Sequence, residues 1–345
     1  MITSLISDRF NEASAPATAG ARVSAFAPTG TGVAETASAA FDHIPALMYA
    51  REYQGSVRNA TVTSPQSGMS VWSKAFVGAR HQRADGAMLP SDTLAYGGAL
   101  GADKSFGHRI RLGAFIGAGR GKLDVDLNSQ SVKTDYMFGG VYFRLDRVTH
   151  FFDVAMTGGI TSNDSTRQVA HNLAPAGQET ATASYNGWFV SPEFTYGVRI
   201  PVASNATLTP SVKFRYIGGH QSVYTEAGSS QTLTVNARTS HNLEQRIEFA
   251  LSQIREMNGG SLKTTFTVGA LGLERIGGNT VSTVLIGQNL SFAAPGDNLT
   301  GGLYAGVGFD VRFNERMGAF VSTEGTVMSD KSTLGTAKSG VRVTF

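Results

Sequence analysis

The sequence predicts an all-β protein, a transmembrane antiparallel β-barrel of about 12 strands. Three observations lead to this fold class. Apolar and polar residues alternate over long stretches from residue 70 onward. Glycine accounts for 41 of the 345 residues, above its usual ~7%, while charged residues make up only 16%, below the usual ~25%. No uninterrupted apolar run approaches the ~18 residues that a membrane helix needs.

The composition excludes several other classes of protein. The chain has no Cys, so it contains neither disulfide bonds nor thiolate metal sites. Its net charge of +3 is small for this length and gives no nucleic-acid-binding footprint. The seven His residues show no metal-ligand spacing such as H-E-x-x-H. We therefore expect no metal, no cofactor and no nucleic acid among the partners of this protein.

The N-terminal 69 residues differ from the rest of the chain. Residues 1–13 are predicted to form a helix, because apolar residues recur there at helical spacing. These apolar residues are Ile2, Leu5, Ile6 and Phe10. Residues 14–69 are rich in Ala, Gly and Thr and are predicted to be a linker, within which 41–54 is denser in apolar residues.

From residue 70 onward the hydrophobic period changes to two. In the segment 302–313, for example, Leu303, Val307 and Phe309 fall on one face and Asp310 on the other. Such alternation is typical of a strand with one apolar and one polar face. The predicted strands lie near 70–83, 91–105, 107–123, 129–146, 148–163, 182–200, 205–226, 231–255, 260–276, 299–313, 315–328 and 333–345.

The connections between these segments favour a barrel over a soluble sandwich. Short turns alternate with longer loops, chiefly 164–181 and 277–298, as in outer-membrane barrels whose turns face the periplasm. The alternating runs are also longer than the ~5–6 residues of an average strand. A sheet in hydrocarbon must close so that every backbone polar group is paired. We therefore predict a barrel over residues 70–345.

Closure turns the apolar face toward lipid and the polar face toward a lumen. The charged residues of the polar face are then predicted to line this lumen. They are Arg109, Arg111, Asp153, Glu193, Arg199, Lys213, Arg215, Glu244, Arg246, Glu248, Asp310 and Arg312.

The last predicted strand ends on an aromatic residue. Val341, Val343 and Phe345 share one face of this strand. A terminal aromatic on an alternating strand resembles the signal by which the barrel-assembly machinery recognises bacterial outer-membrane proteins. These three residues are therefore predicted to be an assembly signal.

Three segments carry a resemblance to a known family. They are MITSLISDRFNEA at 1–13, VWSKAFVGARHQ at 71–82 with Trp72, Phe76 and Gly78, and the Gly-rich hairpin at 93–125. Together they resemble the C-terminal translocator domain of classical autotransporters, the proteins of type V secretion. The pattern extends over most of 70–345.

The resemblance implies a location, a function and partners. It implies a barrel in the bacterial outer membrane, with the helix 1–13 threaded through the lumen and tethered to a passenger domain earlier in the precursor. Outer-membrane lipid, the barrel-assembly machinery and this passenger are the implied partners. Residues 1–20 lack the basic region and apolar core of a signal peptide, so we expect signal and passenger to lie upstream of Met1. No Asn-Asn pair occurs in residues 1–70, so we expect no self-cleavage of the kind known in some autotransporters.

Two alternative functions remain open. The first is a passive, porin-like channel to which residues 1–70 are an unrelated extension. The second is a lipid hydrolase, since His220 and Ser222 would share one strand face and Asn236 would follow on the next strand. Outer-membrane phospholipase A is similar in using such a group on its lipid face, but its surrounding aromatic and Gln residues have no counterpart here. We therefore expect no enzymatic activity.

Overall fold

The computed structural model describes residues 68–345, apart from short gaps at 86–88, 108, 127–128, 172, 175–176, 258, 279, 286, 294–296 and 315. The predicted helix 1–13 and nearly all of the predicted linker 14–69 lie outside the described residues. Within the described part of the chain, no helix is long and apolar enough to cross a membrane.

The described chain is built from strands. In chain order they are β1 Met69–Gln82, β2 Ser91–Phe106, β3 Ile110–Val125, β4 Gln130–Asp146, β5 His150–Ala170, β6 Gln178–Val198, β7 Ile200–Ala203, β8 Ala206–Gln221, β9 Tyr224–Thr225, β10 Leu233–Val235, β11 Arg238–Met257, β12 Gly260–Gly277, β13 Thr280–Leu285, β14 Gln288–Ala293, β15 Leu299–Arg312, β16 Met317–Met328 and β17 Ser332–Thr344.

Twelve of these strands form a closed antiparallel barrel, which confirms the predicted barrel and its strand number. Each strand pairs with its neighbour in the order β1 to β6, β8, β11, β12, β15, β16 and β17. The barrel closes where β17 pairs with β1, from Ser70 opposite Thr344 to Gln82 opposite Ser332. Beyond the last pair of this seam, the N–H of Phe345 donates to the carbonyl of Met69 at 2.8 Å.

The two ends of the barrel differ. The turns β2–β3, β4–β5, β11–β12 and β15–β16 are short and lie at the end where β1 begins and β17 ends. We call this the turn end and the opposite one the loop end. The outward face between them is apolar, and its most exposed large side chains include Leu100, Ile116, Met137, Ile160 and Leu303. This band has the character expected of a surface that faces lipid.

The predicted loop at 164–181 is wrong. Strands β5 and β6 each have 21 residues and leave only residues 171–177 between them. The added strand length is polar on both faces, with Asp164 and Thr166 exposed on the outward face and Ser165 and Arg167 buried on the inward face, so hydrophobic alternation could not reveal it. Backbone pairing alone continues the hairpin beyond the apolar band, because strand ladders do not require one apolar face.

The predicted segments 205–226 and 231–255 are too long, and the predicted loop 277–298 is not strand-free. Strand β8 ends at Gln221 and β11 begins at Arg238. Between them β9 and β10 join the β13–β14 hairpin in a separate four-stranded sheet at the loop end. A period of two also holds in that sheet, where Leu233, Val235 and Val281 form a small apolar core. The pattern predicts a strand without indicating to which sheet the strand belongs.

Candidate functional site: the barrel lumen

The inner surface of strands β1 to β6 is built from rings that lie over glycines. Each ring faces a Gly directly across the strand pair, and a Cβ at that Gly would overlap the ring. The pairs are Trp72–Gly101, Phe76–Gly97, Phe115–Gly140, Tyr136–Gly119, Phe138–Gly117, Tyr142–Gly113, Phe151–Gly197 and Phe189–Gly159. We call this half of the lumen the aromatic wall. Side chains as large as Trp fit there because the opposite residue has none.

The rings of the aromatic wall also contact one another. Trp72, Phe115 and Tyr142 lie with centroids 6.3–6.5 Å apart, and Nε1 of Trp72 donates to the Tyr142 hydroxyl at 2.9 Å. The Tyr142 hydroxyl in turn donates to Asp103 at 2.8 Å. Buried indole and phenol groups thus have the partners that they need in a packed interior. All rings of the wall except Phe151 belong to one cluster or pack against it, and this cluster ties β1 to β4, which are not neighbours in the sheet.

The opposite half of the lumen is charged. Its residues Glu193, Lys213, Arg215, Glu244, Arg246 and Glu324 come from β6, β8, β11 and β16, and we call them the charged wall. Arg215 pairs with Glu244, Nε of Arg246 lies 3.0 Å from Glu244, and Lys213 lies 3.4 Å from Glu193. Arg215 is only 2% exposed and Glu244 5%. A buried charge is tolerated because its counter-ion is in contact.

One ion pair of the charged wall spans non-adjacent strands. Nη2 of Arg246 on β11 lies 3.2 Å from Glu324 on β16, although β12 and β15 separate these strands in the sheet. Beside this pair lies a cavity of about 140 Å³ whose charged lining residues are Glu248, Lys263, Asp310, Glu324 and Lys338. The lumen therefore has a cavity with several charged lining residues on one side and packed rings on the other.

The structure places the predicted lumen residues as follows. Asp153, Glu193, Arg215 and Glu244 are buried, and Arg111, Arg199, Lys213, Arg246, Glu248 and Asp310 are half-buried. Arg109 and Arg312 are exposed at the turn end. They differ from the rest because Arg109 lies in the turn before β3 and Arg312 ends β15. Whether these side chains line an open pore stays a prediction.

Sequence reasoning misses several charged residues of the inner surface. Asp103 is 3% exposed and lies 3.6 Å from Arg111, and Arg144 lies 2.8 Å from Asp153. Glu324 and Lys263 belong to the same group. All of them follow the same two-residue alternation as the predicted residues. They would have been found if every second residue along the whole of each strand had been assigned to the inner face.

The loop end is held together by a further ion pair and by hydrogen bonds to two carboxylates. Arg167, on the extension of β5, donates to both carboxylate oxygens of Glu226, with Nε to Oε1 at 2.9 Å. Glu226 also accepts the N–H of Leu233 at 3.0 Å. Nearby, the hydroxyl and N–H of Ser230 donate to Glu179 and hold the pKa of its carboxyl below the usual value. These contacts tie the β8–β11 connection to the β5–β6 hairpin.

The three residues of the hydrolase hypothesis, His220, Ser222 and Asn236, each contact a different residue. Nδ1 of His220 lies 3.2 Å from the Thr239 hydroxyl, and the His220 ring stacks on Trp188. Ser222 lies beyond the last residue of β8, and its N–H donates to the carbonyl of Asn186 at 2.9 Å. Asn236 lies between β10 and β11 and donates its N–H to Ser282. Among the described residues, no group of three or more His, Asp and Glu side chains could hold a metal ion.

The predicted assembly strip lies at the turn end. Val341 and Phe345 are 53% and 65% exposed, and Val343 is half-buried. The predicted pore-helix residues Ile2, Leu5, Ile6 and Phe10 lie outside the described residues.

Comparisons with known proteins agree with this architecture. The family model described as "Autotransporter beta-domain" matches residues 71–324. No curated protein matches the chain. Among solved structures, the fold is similar to the translocator domain of the autotransporter NalP from Neisseria meningitidis, with a TM-score of 0.69 and 19% identity over 91% of this chain and 97% of that one. The β-domain of the Bordetella autotransporter BrkA gives 0.60 and 13% identity over 81% and 100%, and the transport unit of AIDA-I from Escherichia coli gives 0.51 and 13% over 90% and 99%.

Proposed function

We propose that this chain, which belongs to the autotransporter β-domain family, anchors a passenger domain in the bacterial outer membrane and helps to export it to the cell surface. The family places the chain in the outer membrane, with a translocator role in type V secretion. The family is one of transport domains, and we propose that the chain has no catalytic activity of its own.

The closed barrel with its divided lumen carries this proposal. Every strand of the barrel is paired on both sides, so the barrel can lie in hydrocarbon without an open edge. Its inner surface combines packed rings with a polar cavity, which suits a polypeptide that has both apolar and charged side chains. We propose that the passenger lies upstream in the precursor and leaves the cell through, or together with, this barrel.

We further propose that residues 1–13 form a helix within the lumen and that 14–69 is a linker. The helical stripe of Ile2, Leu5, Ile6 and Phe10 is complementary to the aromatic wall. The charged residues of the same segment would then turn toward the charged wall, because they lie on the other faces of the helix. The lumen offers matching surfaces for both sides of such a helix.

Display of a reporter tests the export function. A small epitope-tagged domain is fused in front of Met1 behind a secretion signal, and whole cells are treated with a protease that cannot enter the periplasm. We expect the tag to be lost from intact cells that carry the full barrel. The matched control lacks β17 and cannot close, so its tag should stay protected. Protection with the full barrel, in a form that is heat-modifiable and therefore inserted, would contradict the export function while leaving the fold intact.

Conductance tests the position of residues 1–13. Deletion of this segment should raise the single-channel conductance in a planar bilayer, because a vacated lumen lined by charge conducts ions. Deletion of the same number of residues from the linker, for example 20–32, is the control and should change conductance little. If the two deletions act alike, the lumen is filled by another segment, or the chain is a porin-like channel.

A further inference from the structure

Among the residues that the structure describes, the exposed charges at the turn end are almost all positive. Among the described residues, six exposed cations lie in or next to the turns of this end, and Glu256 is the one exposed acid there. The six are Lys104, Arg109, Arg147, Arg255, Arg312 and Arg316. We call them the cationic rim. They are distributed over the four turns β2–β3, β4–β5, β11–β12 and β15–β16, so the excess charge is spread over several parts of the circumference.

The loop end has no such excess. Its exposed cations are matched in number by exposed acids among the described residues, and three of these cations form ion pairs. Arg120 lies 2.8 Å from Asp135, Lys122 lies 2.6 Å from Asp124, and Lys331 lies 2.7 Å from Asp85. Among the described residues, the two ends therefore differ in the number of exposed acids rather than in the number of exposed cations.

Aromatic residues mark the level of the cationic rim. Phe106, Phe313 and Phe345 are 49%, 56% and 65% exposed, and all three lie at the turn end. Exposed rings at a barrel end lie where hydrocarbon meets the lipid head groups. Nζ of Lys104 lies 5.6 Å from the centroid of the Phe106 ring, so this cation is held at the same level.

We propose that the cationic rim binds the phosphates of anionic phospholipids in the periplasmic leaflet of the outer membrane. The turn end faces the periplasm if the barrel has the orientation usual for its class, so the inference rests on the membrane role proposed above. Arg and Lys near an anionic membrane surface each contribute an attraction of roughly fivefold in association. Phosphatidylglycerol has the required chemistry, with a single phosphate at the depth of the rings.

Spin-labelled lipids measure this preference directly. The full chain is reconstituted in vesicles of phosphatidylcholine, and electron spin resonance gives the relative association of labelled phosphatidylglycerol and phosphatidylcholine with the barrel. We expect about a twofold preference for phosphatidylglycerol averaged over the perimeter, because only part of the circumference carries rim cations. Raising the salt concentration should abolish the preference, since exposed charges are screened.

Two variants with equal loss of charge complete the test. In the first, Arg109→Gln, Arg147→Gln and Arg316→Gln remove three rim cations. In the second, Arg83→Gln, Lys122→Gln and Lys133→Gln remove three exposed cations from the loop end. The preference should fall by about half in the first variant and stay unchanged in the second.

The outcomes separate this inference from the membrane role itself. Insertion is checked in each sample by heat-modifiable migration in gels, so a barrel that fails to insert speaks against the membrane role. An inserted parent barrel without lipid preference, or an equal loss in both variants, would overturn the cationic rim as a lipid site. If the rim variant fails to insert, the salt titration of the parent barrel still decides: a preference that persists in high salt overturns the proposal.

Discussion

The aromatic wall and the charged wall line the same lumen and are held together by different means. In the aromatic wall every ring lies over the Gly directly opposite on the neighbouring strand, so each ring–glycine contact is set by the register of one strand pair. In the charged wall, Arg246 reaches Glu324 past two intervening strands. The first half is thus held mainly by the shapes of its rings and the second mainly by ion pairs, and both halves also contain contacts between non-adjacent strands. A barrel can therefore be rigid on one side and keep a polar volume on the other.

The largest expected effect comes from breaking the charged wall. Glu244→Ala leaves Arg215 buried without its counter-ion, and removal of one partner of a buried pair costs about 3–5 kcal/mol. The double variant Arg215→Met with Glu244→Gln removes the charge pair as a whole and should recover most of this loss. Unfolding titrations in detergent measure both. Equal destabilisation by the single and the double variant would mean that the pair is not desolvated.

The next largest effect is expected outside the lumen, where the two halves should behave alike. Phe309→Arg on the charged half and Leu100→Arg on the aromatic half each place a cation on the apolar outward face, at a cost of about 2–4 kcal/mol. Asp310→Asn, on the inner face next to Phe309, should cost far less. Unfolding titrations in vesicles test this expectation. A large difference between Phe309→Arg and Leu100→Arg would show that the lipid-facing surface also differs between the halves.

A side chain added at a glycine of the aromatic wall should lower the free energy of unfolding by less than the changes above. A Cβ at Gly101 would overlap the ring of Trp72, so Gly101→Ala should cost about 1–3 kcal/mol, as overpacking usually does. Gly325→Ala is the control, because no atom lies within 4 Å of the position that a Cβ would occupy there. Stability in detergent and tryptophan emission would be recorded together, with Trp188→Phe as the common background so that the emission reports Trp72. If Gly101→Ala left the stability unchanged, the glycines would not be needed to make room for the rings.

The smallest effect on stability is expected at the seam. Deletion of Phe345 removes one exposed side chain and the bond from its N–H to Met69, so the folded barrel should lose little. In cells, however, the variant should reach the outer membrane more slowly if Val341, Val343 and Phe345 are read as an assembly signal. Refolding into detergent is compared with heat-modifiable protein in cells. If refolding in detergent and folded protein in cells both fell, Phe345 would have a structural role. If neither fell, Phe345 would not be part of an assembly signal.

Sequence periodicity predicts the barrel well and the contacts inside it poorly. Alternation with a period of two assigns each residue to a face, which is why the twelve strands and most inner-face charges can be predicted. Alternation contains no information on partners. Nothing in the residues around Arg246 indicates Glu324 as its counter-ion, because the pairing depends on the curvature that brings β11 and β16 together.

The limits of the predicted strands have a physical cause as well. Hydrophobic alternation exists only where one face meets an apolar environment, so the polar extension around Asp164 has the pattern of a loop. The aromatic wall shows the complementary case. Trp72 and Phe76 match an aromatic-rich first strand, but their inward direction contradicts the simple rule that apolar residues face lipid. The signal that could have revealed this direction is the Gly at each opposite position, such as Gly101 and Gly97.

The seam between β1 and β17 has a consequence for folding kinetics. Ser70 and Thr344, whose hydroxyls lie 3.1 Å apart, are separated by 274 residues in the chain. Every other strand pair of the barrel joins strands that follow one another in the sheet with short or moderate connections, so these hairpins can form early and locally. Closure entropy rises with the length of the loop that is closed, and folding slows as contacts become more distant in sequence. The seam should therefore form last and limit the rate, and until it does the growing sheet exposes two unpaired edges.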